Sequence, residues 1–308
     1  MHTKQDFLSL TDLTTSSLTD LLALATELKQ EWKSGGNAPV LKDKTLGMVF
    51  TKPSLRTRVS FEMGMRHLGG QAMYISPDEI QLGKRESVPD VARVLSRYVD
   101  GIMARVFAHA DVVALAQHSR VPVINGLSDY SHPCQGLADL LTIKEYKGGL
   151  KGCTIAYVGD ANNVANSLSF GGMLLGAHVR IGAPEGYQLR PDVVAIAQRY
   201  AAASGGSLIQ LTDPLAAVEG ADVVYTDVWT SMGQEAEAAQ RARIFPPFQV
   251  NAMMMARAKK DAIAMHCLPA HRGQEITDEV ADSAQSVLWD QAENRMHAQK
   301  AILVKLMA

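Results

Sequence analysis

Cysteine is scarce: Cys134, Cys153 and Cys267 are the three in 308 residues, far apart and never in a CxxC pair. That excludes a disulfide framework, and no His/Cys grouping has the spacing of a zinc cluster. Charge of one sign is lacking too. Lys and Arg number 30 against 32 Asp and Glu, a net charge of -2, so nothing marks the chain for nucleic acid or for an anionic membrane. No apolar run approaches the ~20 residues of a membrane span. The first residues, Met1-His2-Thr3-Lys4-Gln5-Asp6, lack the basic and apolar regions of a secretory leader. A reducing, cytoplasmic setting without a structural metal is the expectation. Repeats and low-complexity tracts are missing. So is a dinucleotide fingerprint: after the apolar run 154–158, Ala161 and Val164 stand where later glycines of G-x-G-x-x-G would be.

What the chain does have is alternation. The length suggests about two domains. Leucines recur at helical spacing over 7–33, with Thr15-Ser16-Ser17 able to cap a second helix. Short apolar strands then follow at 46–50, 72–75, 101–105 and 121–124, with helical patterns at 56–68, 88–98 and 111–118 between them. A helix at 135–146 stops at Lys147-Gly148-Gly149, which reads as a domain boundary. A second series has strands at 154–158, 178–181, 207–210, 222–226 and 262–265, and helices at 164–175, 192–203, 214–219 and 251–259. Residues 291–307 form a last unbroken helical pattern. Near-continuous apolar strands alternating with helices predict an α/β fold: two doubly wound parallel-sheet domains joined by helices.

In open parallel sheets, ligands bind beyond the carboxyl ends of strands, so the residues just past each strand carry most information. After the first strand come Ser54-Leu55-Arg56-Thr57-Arg58. Ser54 suits a helix cap, the helix amino end attracts anions, and the arginines add planar forks that fit phosphate or carboxylate. Arg105 closes an apolar strand, and His132-Pro133-Cys134-Gln135 opens a helix with Pro133 at a favoured first position. The polar loop after 154–158 offers Asn163 to a small ligand. Asp227 follows a buried strand and suits an ammonium group, and Ser231-Met232-Gly233 adds a hydroxyl and backbone groups. Cys267 follows His266, but neighbours on an extended chain point to opposite faces, so a thiol nucleophile with His266 as base is disfavoured.

Ser54-x-Arg56-Thr57-Arg58, His132-Pro133-x-Gln135, Asp227-x-x-x-Ser231-Met232-Gly233 and His266-Cys267-Leu268-Pro269 occur in one order. Together they resemble the ornithine carbamoyltransferase family. The resemblance runs over nearly the whole chain, through Gln81-Leu82-Gly83-Lys84 and Glu293-Asn294-Arg295-Met296-His297. It implies a carbamoyl-phosphate-binding domain at 1–147 and an ornithine-binding domain at 148–289. The carboxy-terminal helix, 290–308, would pack back on the first. It also implies carbamoyl transfer to the δ-amine of L-ornithine with no cofactor, by an enzyme that is typically a trimer. By the same resemblance Ser54, Leu55, Arg56 and Thr57 would hold the phosphate, and Gln81 would reach carbamoyl phosphate in a neighbouring subunit. Arg105, His132, Pro133, Cys134 and Gln135 would hold the carbamoyl end, with Arg295, Cys267 and Leu268 completing the site. Asn163, Asp227, Ser231 and Met232 would hold ornithine. Arg56, Thr57, Arg105, His132 and Cys267 are the catalytic candidates. Two positions depart from the family's usual threonine, Leu55 and Cys134. The alternatives are transfer to another amine, such as putrescine or an N-acylornithine, or a non-catalytic phosphate-ligand-binding regulator.

Overall fold

A computed structural model describes residues 4–231 and 233–308. The chain divides into two compact units, residues 1–141 with 294–308 and residues 142–293. Unit 1 is built on a four-stranded sheet in the order β2-β1-β3-β4, from β1 (Thr45–Phe50), β2 (Gln71–Ile75), β3 (Gly101–Arg105) and β4 (Val123–Leu127). All three pairings are parallel, with Thr45 opposite Gln71 and Leu46 opposite Gly101. Such strands are covered by helices and so read as apolar runs, and β3 is buried from end to end. Val91 and Ala92 from the helix Val88–Leu95, and Val112 and Leu115 from His109–His118, pack on Val49, Ile102, Ala104 and Val123.

Unit 2 has a five-stranded sheet in the order β7-β6-β5-β8-β9. Its strands are β5 (Thr154–Val158), β6 (His178–Gly182), β7 (Ser207–Leu211), β8 (Val223–Thr226) and β9 (Ile263–His266), again all parallel. Ala156, Val158, Val224 and Ala264 share one core with Phe245, Phe248, Met254 and Val280. The last helix, Leu288–Met307, enters unit 1 at Asn294 and packs there as expected. Gly64, on the helix Leu55–His67, leaves room for Lys300 and Leu303: a Cβ there would lie 3.4 Å from Lys300 Cγ. Among the described residues no helix is long and apolar enough to cross a membrane.

In both sheets the order reverses once, between β1 and β3 and between β5 and β8. In doubly wound folds the usual ligand position is at such switch points, beyond the carboxyl ends of the strands. Three expectations need correction. Residues 7–14 are not helical apart from the single turn Leu10–Asp12, because Phe7 lies along β4, donating to Val123 O at 2.9 Å and accepting from Asn125 N at 2.8 Å. The cap of the helix Thr15–Lys33 is Thr14, one residue earlier than expected. The fourth strand sits two residues later than 121–124, since Pro122 cannot donate to a sheet ladder.

Candidate active site

In unit 1, β1 leads into Ser54, which caps the helix Leu55–His67 by accepting from Thr57 N at 3.4 Å. The amides of Leu55 and Arg56 find no acceptor among the described residues, as expected for a first helical turn. The Arg56 guanidinium is half-buried and likewise makes no hydrogen bond or ion pair with them. Two orphan donors, the positive end of a helix and an uncommitted guanidinium together form an anion cradle.

Thr57 is fully buried and collects the neighbours. Its Oγ1 accepts from Ser54 Oγ at 3.0 Å, Arg105 Nη1 at 3.3 Å and Arg295 Nη2 at 2.6 Å. Arg105 ends β3 where the β3–β4 register slips, Ala104 facing Asn125 and Arg105 facing Leu127. The skipped residue is Gly126, where a Cβ would come within 2.5 Å of Met103 Sδ. A slip of this kind re-aims the side chain beside it. His132 precedes the helix Pro133–Lys147 and is buried. Burial, then Arg295, Arg105 and Lys52, hold its pKa well below the usual histidine value, so the ring is neutral near pH 7. Gln135 donates from Nε2 to Asp139 Oδ1 at 2.8 Å, while its buried Oε1 has no partner among the described residues. That acceptor faces no donor among the described residues and suits an amide N–H of a ligand.

Pro133 starts its helix, and the Cys134 thiol turns to Asn125 O at 3.4 Å. Burial pushes that thiol up to about 12, which makes it inert. Leu55 is 74% exposed at the first helical position. Gln81 stands apart from this group: it is exposed at the end of Pro77–Ile80, and its amide donates to Asp78 O at 3.3 Å.

In unit 2, β5 and β8 are tied at their ends by Thr226 Oγ1 donating to Val158 O at 2.7 Å. Asp227 follows at once and is 6% exposed. Its Oδ1 accepts from Val228 N at 2.8 Å and from Cys267 Sγ at 3.0 Å, and its Oδ2 accepts from Asn162 Nδ2 at 2.8 Å. Asn162, which sequence reasoning passed over for Asn163, also caps the helix Asn163–Leu174 through Val164 N at 2.9 Å. Its signal was the position just before that helix, where Asn is a preferred cap. Asn163 is half-buried in the first helical position. Ser231 is half-buried with its N–H on Gln234 Oε1 at 3.0 Å, and Met232 lies outside the described residues.

β9 delivers His266 and Cys267. His266 Nδ1 accepts from Leu268 N at 2.8 Å, so Nε2 carries the proton and donates to Glu275 Oε1 at 3.0 Å, both side chains fully buried. This fixes Leu268 at φ 60° before a cis Leu268–Pro269 bond. Glu275 is a second residue that sequence reasoning missed, nine positions from its partner. Ligand atoms of Asp227, His266 and Cys267 lie within 4.8 Å of one another. Both imidazole nitrogens are already engaged, so this trio is a poor metal cage as it stands.

Two family models match the chain: "Aspartate/ornithine carbamoyltransferase, carbamoyl-P binding domain" over residues 5–145 and "Aspartate/ornithine carbamoyltransferase, Asp/Orn binding domain" over 151–306. A curated protein from Pyrococcus furiosus, named as an anabolic ornithine carbamoyltransferase, is 56% identical over 303 residues, covering 98% of this chain and 96% of the relative. The solved structure of ornithine carbamoyltransferase from Pyrococcus furiosus matches with a TM-score of 0.96 at 56% identity, over 98% of this chain and 97% of that one. That of ornithine carbamoyltransferase from Gloeobacter violaceus matches with a TM-score of 0.89 at 45% identity, over the full length of both chains.

Proposed function

The chain belongs to the aspartate/ornithine carbamoyltransferase family, and we propose that it transfers the carbamoyl group of carbamoyl phosphate to the δ-amine of L-ornithine, giving L-citrulline and phosphate. The observation that carries the donor side is the anion cradle at the β1–β3 switch point, where Arg56 is uncommitted and Arg105 and Arg295 meet on Thr57. Unit 1 is accordingly the carbamoyl-phosphate-binding domain and unit 2 the ornithine-binding domain. For the acceptor, ornithine is favoured over aspartate by charge. Asp227 offers an oriented carboxylate to an ammonium, whereas a second acceptor carboxylate would need a cation. The buried arginine of this region, Arg241, is already engaged by Asp160 and Glu237.

In the reaction a neutral amine attacks the carbonyl carbon. A free alkylamine holds its proton up to about pH 10.4, and a partly desolvated crevice lowers that value. As the bond forms, the carbonyl oxygen gains charge. Thr57, Arg105 and neutral His132 stabilise it, and preorganised donors of this kind are commonly worth ~3–4 kcal/mol each. Gln135 Oε1 takes the carbamoyl N–H. Ser54, the Leu55 and Arg56 amides and the Arg56 side chain stabilise the departing phosphate. Asp227, Ser231, Asn163 and Met232 hold the amino-acid end of ornithine. Cys267 and Leu268 orient the reacting groups, Cys267 through its bond to Asp227. We assign Gln81, at an exposed site outside this cluster, to the donor pocket of a neighbouring subunit in a homotrimer. A cytoplasmic location fits three cysteines that are all unpaired.

A citrulline-forming assay over ornithine, putrescine, N-acetylornithine and aspartate tests the reading. Ornithine should be the preferred acceptor, and Arg56→Ala should lower kcat by about 10²-fold or more. Preference for another acceptor, or a wild-type rate in the variant, overturns it.

A further inference from the structure

Arg241 is 4% exposed, yet it belongs to no motif, and among the described residues its hydrogen bonds go to none of those assigned above to a substrate. It lies on the helix Ala238–Ile244, just after the loop that carries Ser231. Its Nη1 donates to Asp160 Oδ2 at 2.9 Å and to Trp229 O at 2.7 Å, and its Nε donates to Glu237 Oε2 at 2.9 Å. The guanidinium carbon sits 4.9 Å from the Tyr187 ring centre and 5.9 Å from that of Phe245. Phe245 in turn stacks on Trp229 at 5.8 Å.

These contacts join two stretches that face the acceptor. Asp160 belongs to the turn bearing Asn162, whose amide holds Asp227 at 2.8 Å. Trp229 is midway along the chain between Asp227 and Ser231. A planar guanidinium donates to these three acceptors while resting against the adjoining Tyr187 and Phe245 rings, whereas a lysine's single nitrogen reaches fewer of them from one point. Stability is a weak reason for the arrangement, since a buried ion pair commonly adds little over apolar packing.

We propose that Arg241 is a positioning residue for the acceptor amino acid, pinning the backbone at Trp229 so that Asp227 and Ser231 keep the spacing needed to grip it. This rests on the reading of Asp227 and Ser231 as acceptor-binding, which Asp227→Asn tests separately. Steady-state kinetics in both substrates of Arg241→Gln and Arg241→Lys should give a KM for ornithine raised by about tenfold or more in the glutamine variant and less in the lysine one. The KM for carbamoyl phosphate should stay within about twofold. Should the glutamine variant fail to fold, Glu237→Gln keeps the arginine but removes one anchor, and should raise the ornithine KM alone by a smaller factor. A purely structural arginine would lower the melting temperature and the active fraction with the ornithine KM unchanged, and that result overturns the proposal. If Asp227→Asn raises the ornithine KM while the Arg241 variants do not, the proposal alone fails. If Asp227→Asn leaves it unchanged, the acceptor reading fails and takes the proposal with it.

Discussion

A hydroxyl oxygen has two lone pairs, yet Thr57 Oγ1 is approached by three donors, from Ser54, Arg105 and Arg295. The Arg105 contact is the longest at 3.3 Å, and two cationic side chains thus crowd one neutral acceptor. That excess of donors at one residue is the local electrostatic reason to expect an anionic ligand. Asp160 shows the opposite case, a carboxylate short of solvation. Burial pushes it from 3.8 up to about 6, against the pull of Arg241. An acid whose pKa is raised on folding binds its proton more tightly in the native state. Its contribution to stability is therefore greatest below about pH 4 and is lost as pH rises from about 4 to about 6, with no further change above. The urea midpoint of the wild type relative to Asp160→Asn, followed from pH 4 to pH 8, should fall through that window and then level off. A flat difference would mean that Asp160 is an ordinary carboxylate. Catalysis should respond in the other sense: below about pH 6 the protonated Asp160 grips Arg241 less well, so the ornithine KM of the wild type should rise more steeply than that of Asp160→Asn.

At the scale of elements, the helix Leu55–His67 matters because its amino end is the anion cradle, so its other end must be fixed as well. The chain leaves it through Gly69 at φ 83°, and a Cβ there would lie 2.6 Å from Pro39 Cβ. Gly205 has a nearly identical φ of 82° after the helix Pro191–Ser204, but open space around it. Gly205→Ala should therefore cost only the left-handed backbone penalty, about 1–2 kcal/mol. Gly69→Ala should cost that and an overpacking term of about 1–3 kcal/mol more. Chemical denaturation of both variants separates the two, and equal losses would refute the steric part. Elements of this kind were legible in the sequence to the extent that burial makes a strand apolar. β1, β3 and β5 announce themselves, whereas β4 carries Asn125 and Gly126, residues of turns, in its middle. There they are explained by contacts no local pattern encodes: Asn125 Nδ2 donates to Leu8 O at 2.9 Å, and Gly126 makes room for Met103. Short helices such as Pro77–Ile80 and Asp278–Ala281 complete too few turns to leave a period. The motif residues at strand ends were visible for the same topological reason as the strands. Asn162, Arg241 and Glu275 were not, because each acts on a partner that only folding brings near: Asp227, Asp160 and His266.

The whole molecule repeats one device: each unit is a parallel sheet whose strand order reverses, and each collects its polar groups at that reversal. Unit 1 gathers arginines around a helix amino end, and unit 2 gathers an aspartate, an asparagine and a thiol. Opposite local charges on separate cores predict that the two ligands are recognised by different units. Inorganic phosphate, which shares the charge of the leaving group, should then stabilise the native chain through unit 1 alone. At about a hundred times its Kd, a ligand that binds only the native state adds ~2.7 kcal/mol, which for a 308-residue chain unfolding as a whole raises Tm by roughly 4 °C. Thermal melts with and without phosphate should give that rise in the wild type and in Asp227→Asn, and little or none in Arg56→Ala. A response kept by Arg56→Ala but lost in Asp227→Asn would reverse the assignment of the two units, because phosphate would then be held where an ammonium is expected.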